Sequence, residues 1–148
     1  MKNKTSYKTK TLLAFTTFNN LGKANNYIQE KVHDYMKSTG LPPAQFAIIN
    51  ILGNEGALRI SEIYEKMLIK SGNRTMILDS IEKKGFIKRV FSKHDRREII
   101  IELTPTGKKF FEEHNASYMK TIEDVLSVFS QEEQKTLNKI LNKPEISK

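Results

Sequence analysis

The stretch from residue 71 to residue 107 constrains the fold more than any other part of the chain. Its first part is basic and carries apolar residues at helical spacing, and it breaks at Gly85. Two β-like runs follow, residues 86–91 and 98–103, with a charged tip between them. Helical periodicity followed by two such runs around a polar tip predicts a helix and then a β-hairpin. A basic helix that leads directly into a basic hairpin is the plan of a winged helix-turn-helix.

The residues before this stretch complete the plan. A compact apolar helix is predicted after Pro42, because proline is tolerated in the first helical turn, and residues 53–56 are predicted to be a turn. A very short strand at 58–60 and a helix from Ser61 to about residue 68 follow. The second helix of the motif is predicted from about residue 72 to residue 84. Its outward face holds these residues: Asn73, Met76, Ser80 and Lys83, with Thr75 at the border.

The net charge of +8 is concentrated in two places. Residues 59–97 hold eleven Lys and Arg against five Asp and Glu, and residues 1–10 hold four Lys and no acid. A basic protein kept soluble by its charge would more naturally spread the excess. The placement of the charge therefore favours a polyanionic partner, nucleic acid.

Several classes of protein are disfavoured by what the sequence lacks. There is no cysteine, which removes disulfides, thiolate metal sites and thiol redox sensing. No P-loop, G-x-S-x-G or H-E-x-x-H motif is present, and His33, His94 and His114 are scattered over different elements. We expect no enzyme activity, metal or cofactor. No membrane span or apolar signal segment is recognisable, so we expect a cytoplasmic protein.

Apolar residues also recur at helical intervals at both ends of the chain. The N-terminal stripe runs over residues 12–36, and Gly40 suits a left-handed C-terminal cap. Near the C-terminus, Pro105 starts a long helix and Ser130 starts a short one. Helix 12–36 has more apolar surface than packing on one neighbour requires. It is either an ordinary core helix or an interface with a partner helix, and the residues alone leave both open.

Two segments resemble a known family. Asp79 and the run 81–87, Ile-Glu-Lys-Lys-Gly-Phe-Ile, resemble the D-x-L-E-K-K-G-L-V segment of the MarR family of bacterial transcription regulators. Asp95-Arg96-Arg97, followed by an apolar strand and Leu103-Thr104-Pro105-Thr106-Gly107, resembles that family's wing signature, D-x-R and then L-T-x-x-G. The sequence departs from the family at Arg74, where an apolar residue is usual, and at Met76, where arginine or tyrosine is frequent.

The resemblance implies a mainly α fold with a small β-hairpin wing (α+β), in which a winged helix-turn-helix lies between N- and C-terminal dimerisation helices. With this layout, residues 11–40 and 108–148 form a helical dimerisation region, and residues 41–107 form a DNA-binding domain. After Met1, residues 1–10 lack apolar residues except Tyr7 and are predicted to be a mobile basic arm. The resemblance also implies a homodimeric regulator, in most members a repressor, that binds a palindromic operator in double-stranded DNA. A small ligand, often an anionic phenolic compound, would release the DNA.

The second helix of the motif, from about residue 72 to residue 84, would be the recognition helix. Its N-terminal half would enter the major groove, because base edges can be distinguished in that groove. Its candidate contact residues are Ser71, Asn73, Arg74, Thr75 and Met76. Arg74 has two interpretations: it reaches guanine or phosphate, or it lies on the domain surface with its stem packed inward. Two further residues, Arg59 and Lys70, are candidates for contact with phosphate.

The wing tip supplies the second set of DNA contacts. Arg97 would enter the minor groove, where a narrow groove concentrates negative potential. Asp95 would orient Arg97 or tie the hairpin together, because a carboxylate beside phosphates is repelled. Lys93, His94 and Arg96 are candidates for contact with phosphate.

An effector site is the least defined prediction. Its candidate lining is aromatic, although each of these residues also suits a core position: Phe15, Phe18, Tyr35 and Phe46. The alternative function is a winged-helix protein-interaction module that does not bind DNA. The basic residues of the recognition helix and wing disfavour that alternative.

Overall fold

The computed structural model describes residues 8–67, 73–92 and 97–144. Its elements are α1 (Thr9–Ser38), α2 (Pro43–Glu55), β1 (Leu58–Arg59), α3 (Ile60–Lys66), α4 (Arg74–Lys83), β2 (Ile87–Phe91), β3 (Ile99–Leu103), α5 (Pro105–Leu126) and α6 (Gln131–Leu141). The strands form one antiparallel sheet in the order β1-β3-β2. The predicted class, mainly α with a β-hairpin wing in a winged helix-turn-helix, is confirmed. Within the described ranges, no helix is long and apolar enough to cross a membrane.

The chain divides into two compact units. The winged unit comprises residues 33–121, and the terminal unit comprises residues 1–32 and 122–148. Helices α1 and α5 each contribute to both units. Residues 1–7 of the predicted basic arm lie outside the described residues, and α1 begins within the arm at Thr9.

The core of the winged unit is aliphatic at its centre and aromatic at one end. Helices α2, α3 and α4 and the sheet supply its most deeply buried side chains: Ile48, Ile49, Ile63, Leu78, Ile81, Ile87 and Ile101. Phe46 of α2 packs against Tyr35 with ring centroids 6.0 Å apart, against Tyr118 at 5.0 Å and against Phe110 at 6.1 Å. Burial of these apolar surfaces is the main force that holds α4 and the sheet on one scaffold.

Helix ends follow the predicted signals at most positions. Gly40 and Gly85 have φ of 85° and 80°, which glycine adopts without steric cost and other residues adopt rarely. Ser130 caps α6 reciprocally with Glu133: the Glu133 N–H donates to Ser130 Oγ at 3.2 Å, and the Ser130 N–H donates to Glu133 Oε2 at 2.8 Å.

The predicted turn at 53–56 is wrong over most of its length, because α2 continues to Glu55. Gly53 therefore lies inside a helix, where glycine costs about 1 kcal/mol relative to alanine. The reason for glycine is steric. A Cβ at Gly53 would lie 2.2 Å from Cδ2 of Phe111, whose ring packs against the helix backbone.

The junction between the wing and α5 explains the Leu-Thr-Pro-Thr-Gly segment. The Thr104 N–H donates to the Phe86 carbonyl at 3.0 Å, and the Thr104 hydroxyl donates to the Gly85 carbonyl at 2.5 Å. The Gly107 N–H donates to Thr104 Oγ1 at 3.1 Å, as an N-terminal cap requires. A Cβ at Gly107 would lie only 2.0 Å from the Phe86 carbonyl oxygen, so only glycine fits there.

The terminal unit combines a small amount of burial with a large exposed apolar surface. Val32 and Val125 are buried, and the Gln134 side-chain amide donates to the carbonyls of Leu126 and Phe129, which fixes α6 to the end of α5. The exposed apolar side chains of this unit include Leu12, Leu13, Phe15, Phe18, Leu21, Tyr27, Val128, Ile140 and Leu141.

Candidate nucleic-acid interface

The first turn of α4 is exposed and is fixed by its own cap. Asn73 is the N-cap residue, and its Oδ1 accepts a hydrogen bond of 3.2 Å from the Met76 N–H. The side chains of residues 73–76 are all exposed, Met76 to 65%. Asn73 was predicted as a base-contacting residue, and its structural role as a cap was not anticipated. Ser71, like Lys70, lies outside the described residues.

Arg74 lies on the surface of the winged unit beside Tyr64 of α3. Its guanidinium carbon is 4.8 Å from the centroid of the Tyr64 ring, within the range of a cation–π interaction. The Tyr64 hydroxyl donates to the Arg74 carbonyl at 2.5 Å. Burial raises the pKa of Tyr64, and the nearby Arg74 charge partly offsets this effect. These contacts link the two helices of the motif, and the contact of Arg74 with DNA stays a prediction.

Ser80 does not belong to the outward face of α4, which corrects the sequence interpretation. The buried Gln45 of α2 donates from Nε2 to Ser80 Oγ at 3.0 Å. Lys84 Nζ donates to Gln45 Oε1 at 2.8 Å. Both polar atoms of the buried Gln45 amide therefore have a hydrogen-bond partner, as is usual for buried polar groups. Gln45 also fixes the side of α4 that faces α2.

The wing is fastened to α4 by Arg89 of β2. Arg89 Nη2 donates to Asp79 Oδ1 at 2.6 Å, Nη1 contacts Glu82 Oε2, and the Arg89 N–H donates to Glu82 Oε1 at 3.2 Å. The hydrogen bond to Asp79 is the main cause that raises the pKa of Arg89. The acidic residues of the Asp-x-x-Glu spacing in α4 therefore hold the hairpin against the helix. In the sequence, Asp79 and Glu82 stand out as part of a family-like segment, but nothing there identifies Arg89 as their partner.

The base of the wing carries further ion pairs. Arg59 of β1, predicted to contact phosphate, donates from Nη2 to Glu98 Oε2 at 3.0 Å, and both side chains are partly exposed. Lys88 pairs with Glu102 across the strands at 2.7 Å. Arg97 is exposed at the end of the tip, whereas Lys93, His94, Asp95 and Arg96 lie outside the described residues. The site roles of these residues stay predictions.

The structure places the four candidate effector residues in two different environments. Tyr35 and Phe46 pack together in the winged unit, and the Tyr35 hydroxyl donates to the His114 carbonyl at 3.0 Å. Phe15 and Phe18 lie in the terminal unit and are 62% and 72% exposed.

The winged unit also contains an open groove of about 500 Å³ that the sequence did not reveal. Its apolar lining includes Leu52, Leu103 and Phe111, and its charged lining includes Lys108 and Glu112. None of the four predicted aromatic residues lines it. The signal was hidden because the groove joins the end of α2, the wing strands and the start of α5, which are distant in sequence.

The chain matches a family model within the winged unit and known proteins over longer stretches. Residues 41–99 match the model of the MarR family. The chain is 35% identical over 106 residues to the HTH-type transcriptional repressor MdtR of Bacillus subtilis. The aligned stretch covers 72% of this chain and 68% of MdtR. It is 41% identical over 80 residues to the uncharacterized HTH-type transcriptional regulator YfiV of Bacillus subtilis, 54% of this chain. That match spans about half of YfiV, 49% of its length.

Solved structures share the fold. A mutant MarR from E. coli, complexed with operator DNA, superposes with a TM-score of 0.71 at 18% identity, over 92% of this chain and 96% of that chain. Bordetella bronchiseptica BpsR superposes with a TM-score of 0.68 at 18% identity, over 85% of this chain and 96% of that chain. The DNA binding of BpsR is regulated by 6-hydroxynicotinic acid. With the family model and the MdtR identity, these findings show that the chain belongs to the MarR family of DNA-binding helix-turn-helix transcriptional regulators, which are not enzymes.

Proposed function

We propose that this chain is a homodimeric repressor that binds a palindromic operator and is released by a small aromatic anion. The observation that carries the proposal is the clamp from Arg89 to Asp79 and Glu82. It joins the C-terminal half of α4 to the wing. The helix and the hairpin would then act as one body that presents the first turn of α4 to the major groove and the hairpin to the adjacent minor groove.

The proposed DNA contacts are those predicted from the sequence. Residues 71 and 73–76 would face base edges, Arg97 would enter the minor groove, and Lys93, His94, Arg96 and Lys70 would contact phosphates. Asp95 would orient Arg97. Arg59 is a weaker candidate for contact with phosphate, because its guanidinium is already paired with Glu98. A phosphate would have to compete with that carboxylate, so we place Arg59 last among the contacts.

The exposed apolar surface of the terminal unit supports the proposed homodimer. Phe15 and Phe18 expose more than half of their surface, and a contiguous apolar patch on a soluble protein marks an interaction site. We propose that residues 11–40 and 108–148 form the dimerisation region with a second copy of the chain. The two recognition helices would then address half-sites roughly 34–36 Å apart. Repression is supported by the similarity to MdtR, which is a transcriptional repressor.

The effector part of the proposal has separate support. BpsR is described as regulated by 6-hydroxynicotinic acid, an aromatic acid. The groove in the winged unit offers an aromatic face, Phe111, and an exposed ammonium, Lys108, which suit an aromatic ring and a carboxylate. Tyr35 and Phe46, which pack together in the winged unit, remain the second candidate site.

The test is a binding titration with the DNA upstream of the gene that encodes this chain, against a shuffled duplex of the same composition. We expect preferential binding and an affinity that falls steeply with salt, because each phosphate contact releases counterions. A second titration adds salicylate or 6-hydroxynicotinate and follows release. If affinity is equal for both duplexes and insensitive to salt, the DNA-binding proposal is wrong and the protein-interaction alternative is favoured.

A further inference from the structure

The first turn of α4 presents four side chains, and two of them are already engaged. The Asn73 oxygen accepts the Met76 N–H. The Arg74 guanidinium lies over the Tyr64 ring, and the Tyr64 hydroxyl holds the Arg74 carbonyl. No hydrogen bond or ring contact joins the side chain of Thr75 or Met76 to another residue in the described part of the chain. These two side chains are therefore the ones presented without rearrangement.

Met76 is 65% exposed, so its apolar side chain is accessible at the start of α4. The cap contact from its N–H to Asn73 places it in the first turn, which is the part of a recognition helix that contacts base edges. Its thioether is a weak hydrogen-bond acceptor and donates nothing. A polar base edge would gain little from it, and a buried polar edge without a partner costs free energy.

One group on the major-groove edge of DNA is apolar, the C5 methyl of thymine. A flexible, polarisable side chain such as methionine fits apolar surfaces of irregular shape. We propose that Met76 packs on the thymine methyl group of a defined base pair in each half-site and thereby selects thymine at that position. The inference rests on the proposed operator binding and deepens it by naming the base and the atom group that is read.

The experiment uses the duplex that the full chain selects from a random-sequence library. Each thymine is replaced in turn by uracil, which removes the methyl group and leaves the pairing edge intact. We expect wild type to lose affinity roughly fourfold at one position of a half-site, and roughly fifteenfold when both symmetric positions are replaced, from the free energy of burying one methyl-sized group.

Two variants make the test specific. Met76→Ala should bind the thymine duplex more weakly and should show the same affinity for the uracil duplex as for the thymine duplex. Met119→Ala removes another exposed methionine of the winged unit, 55% exposed on α5, and should keep the full uracil penalty. If Met76→Ala binds too weakly to measure, Met76→Leu should retain the penalty, because it keeps an apolar side chain of similar volume.

Each outcome decides something. A uracil penalty that persists in Met76→Ala assigns the methyl contact to another residue and overturns the inference. Operator binding without a penalty at any thymine overturns it as well, although the proposed function stands. Failure to select any duplex from the library overturns the proposed function, and this inference with it.

Discussion

Arg89 Nη2 of strand β2 lies 2.6 Å from Asp79 Oδ1 of helix α4, and the same guanidinium contacts Glu82 one turn further along the helix. The Arg89 side chain is 27% exposed, so its charge is only partly hydrated. Asp79 and Glu82 lie on adjacent positions of one helix face, where two carboxylates repel each other without a cation between them. Arg89 therefore neutralises this repulsion and orients the wing at the same time.

We expect Arg89→Met to lower the free energy of unfolding by about 1–2 kcal/mol, because it leaves two carboxylates unpaired in a partly buried place. Operator affinity should fall as well, since the wing would lose its fixed orientation. Urea unfolding and a DNA titration measure the two effects. Lys88→Met is the matched control: the Lys88 side chain is 53% exposed and pairs with a single carboxylate, Glu102, and we expect a loss below about 1 kcal/mol. Equal losses in both variants would contradict the clamp.

Gly107 is the second position where the structure makes a sharp prediction. A Cβ there would lie 2.0 Å from the Phe86 carbonyl oxygen, a backbone atom fixed by its bond to the Thr104 N–H. We expect Gly107→Ala to destabilise the chain by about 2–3 kcal/mol, as overpacking does. Gly53→Ala meets the Phe111 ring, a side chain that can rotate, and should cost less. Thermal unfolding of both variants gives the order, and a reversed order would show that the junction can yield.

The half-buried Tyr118 predicts how the stability of the chain responds to alkali. Burial raises the pKa of Tyr118 above its ordinary value of about 10. As the pH rises through 10, the unfolded chain loses its phenolic proton before the folded chain does. The stabilising contribution is therefore complete below pH 10 and is lost as the pH rises from there.

We expect the free energy of unfolding of wild type to fall as the pH rises above about 10, with a smaller slope for Tyr118→Phe. Urea titrations across this pH range measure both slopes, and tyrosinate absorbance follows the ionisation directly. Identical slopes for the two proteins would mean that Tyr118 ionises as easily in the folded chain as in the unfolded chain.

The sequence predicted the fold well because its strongest signals are local. Gly40 and Gly85 end helices, and Ser130 starts one. The errors arose where a distant contact overrides a local preference. The Phe111 ring requires glycine inside α2 at residue 53, and Gln45 turns Ser80 away from the outward face.

The candidate site was predictable in composition but not in its internal pairing. Periodicity identifies exposed basic residues, yet it cannot show that Arg74 lies over Tyr64 or that Arg59 is paired with Glu98. Those partners are brought together by tertiary packing between elements that are separate in sequence. The groove lined by Phe111 and Lys108 was hidden for the same reason.

The wing prediction concerns Arg97, which is exposed at the end of the hairpin tip. We expect Arg97→Ala to weaken operator binding by at least about tenfold, the effect of losing one good arginine contact to DNA. Thermal stability should be unchanged, because the substitution lies on the surface. Lys109→Ala removes the same charge from an exposed position on α5 and should have little effect on binding. A similar loss of operator affinity in both variants would show that Arg97 acts only through the net charge of the protein and not through a specific contact.

The last prediction concerns the dimer. Phe18 is 72% exposed on α1 of the terminal unit, and burying one phenylalanine side chain is worth about 1.5–3 kcal/mol. A glutamate at that position would place an unpaired charge in the proposed interface, which is costlier still. We therefore expect Phe18→Glu to shift the chain from twice the monomer mass to the monomer mass in light scattering. Operator affinity should fall with it, because each half-site would be bound alone.

Phe91→Glu is the matched control for the dimer prediction, since Phe91 is 69% exposed in the winged unit, and this variant should remain dimeric. A Phe18→Glu protein that keeps the mass of wild type would move the interface away from this helix.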